Sequence, residues 1–153
     1  RVIIALDNTR LQISPREAEV ADLRAVEDTA IRILDLLPHT PMAGVGINFR
    51  YAEPAGGLLS IFDLADDACI RLEGYDVRST EITRRLESDD MTLNFKLSQA
   101  VDGQIIFDYN YHADVHTAAE VVQKLRDHVV SLQERSLTLY QAVYGRDFAE
   151  VHR

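Results

Sequence analysis

Apolar and polar residues alternate on both sides of a turn at the start of the chain, and this pattern predicts a β-hairpin. Asp7-Asn8 supplies the turn residues. The alternating apolar positions around the turn are Val2, Ile4, Leu6, Leu11 and Ile13. We therefore expect two short antiparallel strands joined at this turn.

The residues after the hairpin carry a helix-start signal followed by an amphipathic stripe. Ser14-Pro15-Arg16-Glu17 has the spacing of a capping box, with serine as the N-cap and proline in the first helical position. The apolar residues that recur at three- and four-residue steps are Val20, Leu23, Ala30, Ile33, Leu34 and Leu37. We expect one helix that begins at this box and ends before Pro38.

A second capping box predicts another long helix near the end of the chain. Thr117-Ala118-Ala119-Glu120 has the box spacing, and Gly145 is the expected stop. The apolar stripe between them is Val121, Val122, Leu125, Val129, Leu132, Leu139 and Val143. An unbroken helix of roughly 28 residues would be about 40 Å long and would overhang a sheet of ordinary strands. The alternative is a kink near Ser136 that folds the far end back.

Period-two alternation between the two helices predicts four further strands, and Leu58–Leu72 favours a short helix. The strand ranges are 43–51, 78–87, 92–99 and 104–112. In the first of them, Gly44 and Gly46 predict a bulge or the close approach of a helix, a subunit or a ligand.

These elements predict one α+β domain over residues 1–153. We expect a mainly antiparallel sheet of five or six strands, with the two long amphipathic helices packed on one face. Because the numbering begins without Met and directly in an apolar run, we also expect part of a first strand, or a whole one, to precede residue 1.

Net charge narrows the classes of partner. Twenty-five acidic residues against 16 basic ones give a net charge of −9, which repels phosphate backbones and anionic lipids. No apolar run approaches the roughly 20 residues that cross a bilayer. We therefore expect no nucleic-acid partner and no membrane association.

A single cysteine, Cys69, cannot form an intrachain disulfide, which favours a cytoplasmic location.

Acidic residues are concentrated in one stretch of the chain. Between Asp63 and Asp90, nine acidic residues stand against four basic ones. The stretch lacks the alternating ligands and central glycine of an EF-hand loop, so a solvated acidic face or a basic protein partner is the better interpretation.

The sequence contains one cluster with metal-ligand character, formed by His112, Asp114 and His116. Residues two apart on a strand project to the same side, so these three groups could hold Zn²⁺ with an open position. The competing interpretation is the solvent-facing edge of a half-buried strand.

Cys69 lies among apolar and acidic neighbours that raise a thiol pKa, so we expect an inert cysteine. No nucleotide-binding motif occurs, and we predict no cofactor.

The leading functional hypothesis is a non-enzymatic protein-interaction or assembly module that acts as a homo-oligomer, with a dimer favoured. Its interface would be an open sheet edge or the overhanging helix end. The interface residues expected at that end are Leu139, Tyr140, Val143 and Tyr144. The alternative is a metal-dependent hydrolase or metal-binding module that uses the His112, Asp114 and His116 cluster. A third possibility is a ligand pocket lined by aromatic residues: Phe49, Phe95, Phe107 and Tyr109.

Overall fold

The protein has an α+β fold, as predicted. The computed structural model describes residues 2–17, 19–54, 62, 70, 72–76, 79–99 and 104–144, with the side chains of the last two residues left out. The strands are β1 (Val2–Leu6), β2 (Leu11–Pro15), β3 (Val45–Glu53), β4 (Glu81–Glu87), β5 (Thr92–Gln99) and β6 (Ile105–Ala113). The helices are α1 (Val20–Leu36), α2 (Ala118–Leu125) and α3 (Val129–Tyr144). Most of the short helix predicted at Leu58–Leu72 lies outside the described residues.

The chain forms two compact units rather than one sheet covered by two helices. Unit 1 comprises Arg1–Ile47 and His112–Thr138, and unit 2 comprises Asn48–Tyr111 and Leu139–Arg153. The described strands form a four-stranded sheet in the order β3-β6-β5-β4 and a separate two-stranded sheet, β1-β2. The prediction of a single five- or six-stranded sheet is therefore wrong. The hairpin strands pair with each other, and the chain then enters α1, which packs against that hairpin.

The first predicted capping box is not a helix start. Ser14 and Pro15 lie in β2, opposite Ile3 and Val2 of β1. Helix α1 begins after Glu19, whose carbonyl accepts hydrogen bonds from the Asp22 and Leu23 N–H groups. Pairing with β1 therefore outweighs a local signal that is compatible with either structure.

The second capping box is present as predicted. The Thr117 hydroxyl accepts from the Glu120 N–H at 3.2 Å, and Glu120 Oε2 accepts from the His116 N–H at 2.9 Å. The His116 N–H is the main cause that lowers the pKa of Glu120 below its usual value. Helix α2 therefore begins at the expected residue, with the Glu120 N–H capped by the Thr117 side chain, and the Glu120 carboxylate binds the N–H of His116 instead of that of Thr117.

The helix that follows is not continuous, and the predicted 28-residue helix is wrong. It breaks over Arg126–His128, where Asp127 has a φ of 62°. The chain continues as helix through Ser136, whose buried hydroxyl donates to the Leu132 carbonyl. The break thus lies nine residues before the kink considered at Ser136, at Asp127, and aspartate tolerates this left-handed backbone conformation.

The break is held by Glu27, a buried carboxylate on α1. Glu27 is 9% exposed. Its Oε1 accepts from the Asp127 N–H at 2.7 Å, and its Oε2 accepts from the Val129 N–H at 3.1 Å. One side chain therefore satisfies two backbone donors at the start of α3, a role normally filled by a local N-cap residue.

Unit 2 is built around alternating strands, as the period-two pattern predicted. The buried residues of β6 are Ile105, Phe107, Tyr109, Tyr111 and Ala113. Phe95 and Tyr109 pack with ring centroids 5.0 Å apart, and Phe107 meets Tyr140 of α3 edge-on at the same distance. The aromatic side chains considered as a ligand pocket thus pack against other aromatic rings.

The opposite face of the sheet carries polar side chains that bond across the strands. Asn94 Nδ2 donates to Asn110 Oδ1 at 3.1 Å, and Asn110 Nδ2 donates to Asn48 Oδ1. Arg50 binds Asp108 through Nε at 2.6 Å and Nη2 at 3.2 Å, and this carboxylate raises the pKa of Arg50. These pairs stabilise the polar face without burying it.

No helix in the described part of the chain has the length and apolar character that crossing a membrane requires.

Candidate self-association site

Three apolar residue pairs of the hairpin lie on one face of it, which we call the hairpin face. The antiparallel register sets Leu6 opposite Leu11, Ile4 opposite Ile13, and Val2 opposite Pro15. Residues directly opposite each other share a face, so these three pairs form three apolar rows. Ile3, Ala5, Gln12 and Ser14 lie on the other face.

Much of the hairpin face is open to solvent. Ile4 is 52% exposed, Leu6 is 78% exposed and Leu11 is 40% exposed. Leu6 lies two residues from Ile4 on the same strand and directly across from Leu11, so the three side chains form one continuous patch. Single exposed leucines are common on proteins, but contiguous aliphatic patches are typical of interaction surfaces.

The turn that joins β1 and β2 is ordered by Asp7. Its Oδ1 accepts from the Thr9 and Arg10 N–H groups, both at 2.8 Å, and from the Thr9 hydroxyl at 3.1 Å. The bond from the Thr9 N–H is the main cause that lowers the pKa of Asp7. The Asp7 N–H in turn donates to the Arg10 carbonyl at 3.0 Å. These bonds fix the register of the strands that follow.

The same turn decides which backbone groups point out of the hairpin. Bonded and non-bonded pairs alternate along an antiparallel ladder. Counting from the bonded Asp7–Arg10 pair, the residues Val2, Ile4 and Leu6 direct their N–H and C=O groups away from β2. No other described strand pairs with that outer edge of β1. Within the described part of the chain, the outer edge of β1 is therefore open to a further strand.

The helix end predicted as an interface has a different environment from the one expected. Tyr140 is fully buried, and its hydroxyl donates to Oε1 of the buried Glu53. The expectation that Tyr140 is exposed on an overhanging helix is therefore wrong, because it belongs to the core of unit 2. Leu139 is half-buried, and the side chains of Val143 and Tyr144 lie outside the described residues.

The structure brings together only part of the predicted metal cluster. His112 Nε2 lies 3.1 Å from Asp114 Oδ1. His116 is exposed, and its carbonyl accepts from the Met42 N–H at 3.3 Å. Among the described residues, no group of three or more His, Cys, Asp or Glu side chains is arranged to hold a metal ion. The observed geometry is that of a hydrogen-bonded His–Asp pair at a strand end.

The position of the His112 side chain explains why residue 44 is a glycine. A Cβ added to Gly44 would lie 2.8 Å from His112 Cε1 and 3.4 Å from the Ala113 carbonyl oxygen. Close approach was one of the predicted reasons for the two glycines, and the approaching group is a side chain of the same chain. Glycine at this position leaves room for the imidazole ring.

We expect Gly44→Ala to lower the free energy of unfolding by about 1 kcal/mol, because the His112 ring must move to admit the methyl group. In a His112→Ala background the clash is gone. The same substitution should then stabilise the fold by about 0.4–1 kcal/mol, because alanine restricts the unfolded chain. Urea denaturation of the wild type, the two single variants and the double variant measures both values. Equal effects in the two backgrounds would show that His112 is not the cause.

The other predicted features do not form a site among the described residues. Cys69 and the acidic residues Asp63, Asp66 and Asp67 lie outside them. A shallow depression of about 360 Å³ on α2 and another of about 120 Å³ at the hairpin turn are lined by neither the aromatic residues nor the His–Asp pair.

No family model matches the sequence, and no curated protein or solved structure has significant similarity to it. The alternation of β1 and β2 predicted which residues share the hairpin face. Its exposure could not be predicted in this way, because it depends on which other elements cover the strands.

Proposed function

We propose that this protein is a protein-interaction module that assembles as a homo-oligomer through the hairpin face. The observation that supports this proposal is the continuous patch formed by Ile4, Leu6 and Leu11 beside an edge of β1 that no other described strand pairs with. A two-stranded hairpin is marginal in stability when it stands alone, and additional strands or packing stabilise it. Helix α1 already packs against this hairpin, and association would add further strands to it.

Association through the hairpin face would remove aliphatic surface from water. Complete burial of a leucine side chain contributes about 1.5–3 kcal/mol, and a two-fold interface counts each residue twice. The net charge of −9 makes two copies repel each other at long range. A contact surface without charge is therefore the most favourable place for them to meet, and the hairpin face provides one.

We expect Leu6→Glu to raise the dissociation constant of the homo-oligomer by about 100-fold or more, because it places two carboxylates in the buried patch. Leu72→Glu is the matched control. Leu72 is 85% exposed, close to the 78% of Leu6, and the substitution changes the net charge equally. Sedimentation velocity over a range of protein concentrations measures both constants.

Two results would overturn the proposal. The first is a wild-type protein that stays monomeric at the highest concentration tested. The second is an equal loss of association in both variants, which would assign the effect to charge rather than to the hairpin face. Circular dichroism spectra of both variants must match the wild type, since Leu6 is largely solvent-exposed and its replacement leaves the core intact.

A further inference from the structure

We infer that two copies of the chain associate by antiparallel pairing of β1 with β1, across a two-fold axis that passes beside Ile4. The two hairpins would then merge into one four-stranded sheet in the order β2-β1-β1-β2. This inference rests on the proposed function and specifies its geometry.

The two edges of the hairpin differ in their ability to pair. Val2, Ile4 and Leu6 direct three N–H groups and three C=O groups outward from β1. On β2 the corresponding outward position next to the helix is Pro15, which has no N–H to donate. Proline is a common device for blocking an edge strand. The hairpin is therefore blocked at part of one edge and open along the whole of the other.

The outward groups of β1 also select one register. Outward groups must meet outward groups, so even-numbered residues must face even-numbered residues of the second copy. A two-fold axis at Ile4 pairs Ile4 with Ile4 and Val2 with Leu6, which engages all three outward residues of each strand. Within Val2–Leu6, a slip by two residues in either direction leaves only two of these three residues facing each other. Among the residues of β1, the register centred on Ile4 therefore forms the largest number of backbone hydrogen bonds.

This register continues the apolar rows of the hairpin face from one copy into the next. Each even-numbered residue of β1 lies on that face, so the exposed Leu6 comes to lie between Leu11 of its own hairpin and Val2 of the second copy. Ile4 comes to lie between Ile13 and the second Ile4. The pairing therefore covers the side of the patch that is most exposed in the single chain.

Charge distinguishes β1 from the edge strand β4. The five residues of β1 carry no charge. By contrast, β4 carries four charged residues: Glu81, Arg84, Arg85 and Glu87. Charged side chains on an edge strand prevent it from pairing with another copy. In a chain with a net charge of −9, β1 is thus an edge where two copies can pair without bringing like charges together.

Disulfide trapping tests the inference in the full chain with Cys69→Ser. In the proposed pairing, Ile4→Cys brings two thiols together on Cα atoms about 5.5 Å apart, within the range of a disulfide. Ile13→Cys is the matched control on the same face. Its two copies would be three strand spacings apart, about 14 Å, which no disulfide can span. We expect disulfide-linked dimer to form about tenfold faster, or more, with Ile4→Cys.

A mixing experiment tests the register even if Ile4→Cys weakens association. Val2→Cys and Leu6→Cys should form a mixed disulfide when combined, because these residues face each other across the axis. Each variant alone should not form one, since like positions would be about 14 Å apart along the strands. Mass spectrometry distinguishes the three products. Equal trapping of Ile13→Cys and Ile4→Cys, or self-linked products in place of the mixed one, would overturn the inference while association itself persists. A monomeric wild-type protein would instead overturn the proposed function.

Discussion

Replacing Glu27 by alanine is expected to lower the free energy of unfolding by about 3–5 kcal/mol, because it removes both hydrogen bonds of a buried carboxylate and leaves the buried Val129 N–H without an acceptor. The carboxylate accepts from the N–H groups of Asp127 and Val129 at the start of α3. Hydrogen bonds to a charged group contribute about 1.5–3 kcal/mol each, and an unsatisfied buried donor adds a desolvation cost. Urea denaturation followed by circular dichroism measures the loss.

The matched control for this prediction is Asp28→Ala, which removes an exposed carboxylate from the adjacent position of α1. We expect its effect to stay within about 0.5 kcal/mol. Glu27→Gln should fall between the two, since its amide oxygen can still accept one of the bonds. Hydrogen exchange at the Asp127 and Val129 amides should accelerate in Glu27→Ala. An effect no larger than that of Asp28→Ala would mean that Glu27 does not hold the helix break.

Glu27 also illustrates why the helix break could not be predicted from the sequence. The apolar stripe continues through Val129 without a glycine or proline to interrupt it. The group that stabilises the break lies 100 residues earlier in the chain. A local pattern contains no information about such a partner, so the stripe predicted a continuous helix.

The two capping boxes show the same limit in a different way. At Thr117 the serine/threonine-to-glutamate spacing predicts the helix start correctly, because every bond of the box is local. At Ser14 the same spacing predicts a helix start where the structure has the end of β2. The competing partner is β1, which reaches Ser14 only through the hairpin turn. Local spacing was therefore sufficient only where no strand competed for the same residues.

The candidate site was predictable in its pattern and not in its exposure. Alternation along β1 and β2 placed Ile4, Leu6 and Leu11 on apolar positions of a hairpin, and the register confirms that they share a face. Periodicity cannot distinguish an apolar face that the chain itself covers from one that stays open. Tyr140 shows the converse, since an apolar position expected at an exposed helix end is fully buried.

Tyr140→Phe is expected to lower the free energy of unfolding by about 2–3 kcal/mol, because it removes one hydroxyl group and leaves a buried carboxyl group without its donor. Tyr140 donates to Glu53, which is 1% exposed, and its ring packs edge-on against Phe107 at 5.0 Å. The phenylalanine ring keeps that aromatic contact, so the loss reports on the hydrogen bond. Tyr75→Phe, at a residue that is 70% exposed, is the control and should change stability by less than about 0.5 kcal/mol.

A double-mutant cycle separates the cost of the lost bond from the cost of the polar group left behind. In the Tyr140→Phe background, Glu53→Leu should restore at least about 1 kcal/mol, because it removes the buried carboxyl group that Tyr140→Phe deprived of its donor. Additive effects of the two substitutions would contradict a direct interaction between Glu53 and Tyr140.

The same variants also distinguish the two surfaces considered for assembly, the end of α3 and the hairpin face. Since Tyr140 lies in the core of unit 2 and the hairpin face lies in unit 1, folded Tyr140→Phe should retain the dissociation constant of the wild type. A weaker association would instead place the contact at the end of α3.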